Sequence, residues 1–174
     1  MRIASRGGCV VGIFNRAISF AIEEGVDGRL LITGALSDTR LDKPIHVIEV
    51  RAEIGLEDGL IHSLSGEMPH IPHEDCRHAL EILPRLVGER IVPGFTQLVR
   101  DVVGSSLGCS HLAVLVTNLG HVSVQGRGAA VMSRMGGGEA AVRHLRKQAV
   151  ELDIMGNCYT WREDGPLMRE MRGE

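Results

Sequence analysis

"PIHVIEVRAEI", residues 44–54, is the stretch on which the fold turns. His46, Ile48, Val50, Ala52 and Ile54 fall on one side of a two-residue period, and Val47, Glu49, Arg51 and Glu53 on the other. That alternation belongs to a strand with one face on a core and the other toward water. It turns His46 inward.

Reading outward toward the N-terminus, "RAISFAI" repeats the pattern, with Ile18, Phe20 and Ile22 on one face. "EEGVDG" is a turn, "RLLITGAL" returns as the second strand of a hairpin, and "SDTRLDKP" is a polar connection to residue 44. Asp38 with Asp42, and Glu23 with Glu24, read as solvated acids in turns. Residues 1–15 lack a clear period and form a loose leader, in which Cys9 stands beside two glycines. On the other side of residue 54, "GLEDG" closes a second hairpin and "LIHSLSG" is a fourth strand, with His62 on the face of Leu60 and Leu64.

From residue 73 the period lengthens. "HEDCRHALEILPRL" sets Cys76, Leu80 and Leu83 on a helical stripe, with Pro84 bending or ending it. "GFTQLVRDVV" aligns Phe95, Leu98, Val99, Val102 and Val103, and "GCSHLAVLVTNLGHV" aligns Cys109, Leu112, Ala113, Val116 and Leu119. "GRGAAVMSRMGGGE" is ambiguous, and Gly136 to Gly138 suit a hinge. "EAAVRHLRKQAVEL" is an amphipathic helix with a basic side. Four strands followed by helices make an α+β fold, an antiparallel meander sheet covered on one face. The divisions expected are the leader at 1–15, a single α+β domain at 16–152, and a C-terminal docking segment and tail at 153–174 that includes "GNCYTW".

Composition narrows the function. The 174 residues are 44% hydrophobic and 24% charged, as in ordinary globular proteins, with aromatics at 3% and a net charge of −3. Scarce aromatics and an acidic balance argue against nucleic-acid binding. No apolar run is long enough for a membrane span, and the first residues are too short in apolar length for a secretory signal, so a cytoplasmic protein is expected. Cys9, Cys76, Cys109 and Cys158 are spread without CxxC pairs, which fits reduced thiols. HExxH and GxGxxG elements are absent.

Cys76 and Cys109 each fall in the first turn of an expected helix, where unpaired N–H groups favour an anion. Both face the sheet, and the facing strand carries His46. Such a convergence suits zinc or an iron–sulfur cluster, although each residue taken alone is more often a plain core group. His111 is a further ligand candidate, but it and Cys109 can serve together only if the helix starts at Ser110. Cys158 is another, if its segment folds over the site. His70, His73 and His78 are expected near a turn and exposed.

The run "LITGALSDTR … PIHVIEVRAEI … MPHIPHEDC … LVGERIVPGF … GCSHLAVL … CYTW" resembles the bacterial domain-of-unknown-function family 2889 over roughly residues 16–167. That resemblance implies a shared fold and site, and no reaction. More distantly, "EVRAEIGLEDGLI … C … LVGERI … GCSHLA" is similar in order to the NifU/IscU type of iron–sulfur scaffold. By that likeness Cys76 and Cys109 stand for two cluster ligands, and His46 falls near the place of the scaffold's first cysteine. The scaffold's first cysteine and its "CGD" box have no counterpart here.

The expected function is therefore metal binding, of zinc or an iron–sulfur cluster, through Cys76, Cys109 and His46 with His111 or Cys158. A cysteine-dependent enzyme using Cys76 or Cys109 is the alternative. A protein adaptor acting through Arg143, Arg146 and Lys147 is a third reading. Self-association and a protein partner stay open.

Overall fold

The computed structural model describes residues 12–151, 156 and 158–172. The fold is α+β, a four-stranded antiparallel meander followed by helices. The strands are β1 (Phe14–Glu24), β2 (Arg29–Arg40), β3 (Lys43–Gly55) and β4 (Ile61–His70), hydrogen-bonded in chain order. A 3₁₀ segment, Glu74–Leu86, follows, then α1 (Phe95–Val102), α2 (Ser110–Arg134), α3 (Gly138–Glu151) and α4 (Pro166–Arg172).

The alternation read in β3 holds: Ile48, Val50, Ala52 and Ile54 are buried. β2 buries Leu30, Ile32 and Leu36 on the same inner face, against Leu112, Leu115, Val116 and Leu119 of α2. In β1, Ile18, Phe20 and Ile22 lie opposite Leu36, Gly34 and Ile32, so they too face inward. Ile18 is nevertheless 38% exposed, because β1 is an edge strand. Gly34 has no side chain where the Phe20 ring lies; a Cβ there would come within 2.3 Å of Phe20 Cε1.

Several expectations change. β1 starts at Phe14, inside the stretch read as leader, while Cys9 lies outside the described residues. β2 runs on through Arg40, so "SDTR" is strand and only Leu41–Asp42 turn, both with positive φ. His62 is exposed: the pairing of β3 with β4 shifts register between Glu53 and Ile54, which buries Ile61 and Leu64 and leaves His62 outward.

The helix expected after residue 73 is wound as 3₁₀. Its inward residues explain this winding, since Cys76, Ala79 and Ile82, and beside them Leu80, Leu83 and Leu86, recur every third residue. Three residues per turn aligns both rows on one face. His73 caps the segment by accepting from the Asp75 N–H at 3.3 Å, and it is exposed, as are His70 and His78.

α1 buries Phe95 and Val99 as its stripe predicts. α2 extends through the ambiguous "GRGAAVMSR" to Arg134, and Gly136, Gly137 and Gly138, all with positive φ, turn the chain into α3. The buried side of α2 continues through Gly120, Ser123, Gly126 and Ala130. These small residues admit the Phe95 ring at Gly120 and Ile22 at Gly126. Among the described residues no helix is long and apolar enough to cross a membrane.

Candidate functional site

Register places one polar row across the end of the sheet. Arg16 of β1 lies opposite Asp38 of β2, and Asp38 lies opposite His46 of β3. Directly opposed residues share a face, so all three point to the helix side. The first turn of α2 then lowers His111 onto the row.

Asp38 is 1% exposed and is the hub. Arg16 grips it with two parallel bonds, Nε to Oδ1 at 2.7 Å and Nη2 to Oδ2 at 2.8 Å. These bonds hold the carboxyl below its usual range, against the opposing effect of burial. An ionised carboxylate only accepts, so His46 donates its Nδ1–H to Oδ2, at 3.2 Å. His111 Nε2 lies 3.7 Å from the same oxygen. Burial foremost, then the charges of His46 and Arg16, lower the pKa of His111, which favours the neutral ring. The two imidazoles stack with centroids 4.1 Å apart and planes tilted by 32°.

Asp38, His46 and His111 thereby bring three donor atoms within 4.8 Å of one another. Cys109 adjoins them. α2 begins at Ser110, with Cys109 extended at its N-cap, and Cys109 Sγ is 3.7 Å from His111 Nδ1. The helix thus starts at Ser110, but Cys109 meets the ring at Nδ1, the nitrogen opposite the one that faces Asp38, and is not part of the three-donor set.

The other expected ligands are placed differently. Cys76 is half-buried against the core near the start of the 3₁₀ segment, and it joins no donor group among the described residues. Cys158 is exposed in the turn that carries Trp161 and is likewise outside the cluster. Asp38 and Arg16 are what sequence reasoning missed. Extending the inward series Leu30, Ile32, Gly34, Leu36 by one more step reaches Asp38, a signal that was available. Arg16 is the matching cation on the neighbouring strand.

On the basic side of α3, Arg143 pairs with Glu139 at 3.2 Å and Arg146 with Glu170 of α4 at 2.9 Å.

Comparison with known proteins gives one family model, described as "Protein of unknown function (DUF2889)", which matches residues 14–125. Neither a curated protein nor a solved structure matches the chain, so the likeness to the NifU/IscU scaffold finds no support there. The matched span holds Arg16, Asp38, His46, Cys76, Cys109 and His111, and excludes Cys158.

Proposed function

The chain belongs to the DUF2889 family, whose description assigns no activity, and from that premise we propose that it binds a transition-metal ion of the zinc type through His46, His111 and Asp38; Cys109, which faces the other nitrogen of the His111 ring, joins as a fourth donor only if that ring turns. The observation that carries this reading is the gathering of three donor atoms within 4.8 Å. Donors around a tetrahedral zinc stand about 3.3 Å apart, so closing the set needs only side-chain adjustments. Two imidazoles and a carboxylate suit zinc, and a neutral His111 offers its lone pair without first losing a proton.

Arg16 keeps Oδ1 through Nε while Oδ2 is shared. Because Arg16 already balances the Asp38 charge, a thiolate at Cys109 gives the ion a net anionic partner. An iron–sulfur cluster of the IscU type would need more sulfur, and Cys76 would have to join Cys109. The donors gathered here are mainly nitrogen and oxygen, which favours a single ion.

The test is metal content per chain after anaerobic purification, with a visible spectrum. Near one zinc is expected in the native chain and in Cys76→Ser, with loss in His46→Ala and His111→Ala. Full occupancy in the two histidine variants ends the proposal, and a brown iron-containing protein redirects it to a cluster.

A second reading is favoured by the order Cys109 Sγ, His111, Asp38, in which the ring faces the thiol through Nδ1 and the carboxylate through Nε2. That order suits a cysteine nucleophile with a histidine base and an orienting acid. It predicts that Cys109 of the metal-free protein reacts with iodoacetamide at neutral pH much faster than Cys76 or Cys158, and that His111→Ala removes the difference. Uniformly slow labelling counts against it. The adaptor reading is weaker, since Arg143 and Arg146 are already engaged within the chain.

A further inference from the structure

The two edges of the sheet are finished differently. β4 contains Pro69 and shifts register against β3 at two places. The start of its outer side is bridged by the segment after the 3₁₀ helix, where the Ile61 N–H donates to Glu89 O at 2.9 Å and the Gly88 N–H to Ile61 O at 2.9 Å. β1 has none of these devices. It pairs with β2 along all 11 residues without a shift, contains no Pro or Lys, and has no strand of the sheet beyond it among the described residues. Its inner face leaves Phe14 54% and Ile18 38% exposed. A long, regular, apolar edge is a template for another strand.

We infer that this edge pairs with β1 of a second copy of the chain, antiparallel about a two-fold axis through Phe20, to give one continuous sheet. Keeping both inner faces on one side requires even-numbered residues to meet even-numbered ones. An axis through Phe20 sets Arg16 opposite the partner's Glu24, Ile18 opposite the partner's Ile22, and Phe20 opposite the partner's Phe20. Other axes that respect the faces do worse. Centred on Ile18 or Ser19, the pairing sets Arg16 against Phe20 or Ile22; centred on Ala21, it sets Ile18 against Glu24. On the inner face only the axis at Phe20 matches charge with opposite charge and apolar with apolar.

The charged atoms are available for it. Arg16 spends Nε and Nη2 on Asp38, which leaves Nη1, and Glu24 receives Arg134 on Oε1, which leaves Oε2. Side chains directly opposed across strands have Cβ atoms about 5 Å apart, within reach of such a pair. On the other face Ser19 meets the partner's Ala21, both small, and Ala17 meets the partner's Glu23, an exposed side chain, so at the centre the strands approach without obstruction. The link also bears on the polar row: the partner's Glu24 would hold Arg16 in the position from which it grips Asp38.

Sedimentation of the full chain at micromolar concentration tests the pairing, with a dimer expected. Ile18→Lys, which sets a cation against the partner's Ile22, should yield a monomer with an unchanged circular dichroism spectrum, because the side chain is already partly exposed. Register is tested by the double variant Ser19→Cys with Ala21→Cys, which should form a disulfide between residue 19 and the partner's residue 21, mapped by mass spectrometry. Ala17→Cys alone should not cross-link through residue 17, which lies about 20 Å from its own counterpart. A monomer at all concentrations, or a dimer whose cysteines fail to join 19 to 21, overturns the inference.

Discussion

Asp38 carries its charge at 1% exposure because Arg16 holds both of its oxygens. Asp38→Asn removes that charge and leaves the guanidinium without its partner; a loss of about 2 kcal/mol is expected, read from urea denaturation of the metal-free protein. The sequence hid this residue for a physical reason. "SDTRLD" is dense in polar groups, which ordinarily means water, and an acid can be buried there only because its cation arrives from 22 residues away on another strand. His46 was legible, since alternation alone turned it inward. Asp58 makes a separate case. It accepts the Leu60 N–H at 3.0 Å and pairs with Arg90, and these contacts lower its pKa. A lowered carboxyl pKa contributes stability above the unfolded value, near 3.9, and that contribution is lost as pH falls through the folded value. Asp58→Ala should therefore cost stability at neutral pH, about 1 kcal/mol for the lost turn bond, and the cost should shrink in acid. An equal cost at pH 7 and pH 2 would contradict the assignment.

At the level of elements, helix packing depends on small residues as much as on large ones. Gly120 of α2 lies so close to α1 that a Cβ would sit 2.6 Å from the Phe95 ring. Gly120→Ala should cost about 1–3 kcal/mol by overpacking, measured as a lower denaturation midpoint. Gly120→Ala with Phe95→Leu should lose less than the sum of the two single changes. Apolar stripes marked α1 and the first half of α2 correctly, because leucine and valine at helical spacing leave a readable pattern. The second half of α2 was obscure because its buried side is glycine, serine and alanine, which carry no hydrophobic signal. The 3₁₀ winding was hidden differently: a row at every third residue and a stripe at three and four share most of their positions over so short a stretch.

For the molecule as a whole, the order of four strands and then helices was legible, whereas the likeness to a particular scaffold was not supported by any solved structure. If zinc binds only the folded chain, a hundredfold excess over the dissociation constant should stabilise it by about 2.7 kcal/mol. The melting temperature should rise with zinc and fall again with chelator, and an unchanged melting temperature would argue against binding. The 3₁₀ segment also meets a demand of distance. The chain leaves β4 at His70 and must return to the other end of that strand, where Glu89 and Gly88 bond to Ile61. β4 is 10 residues long, about 33 Å at strand rise. The 13 coiled residues of the return, which uncoiled residues flank on both sides, cover about 20 Å as an α-helix but about 26 Å as a 3₁₀ helix. Residue for residue the tighter winding is thus the longer reach, so the same coil runs along more of the length of β4.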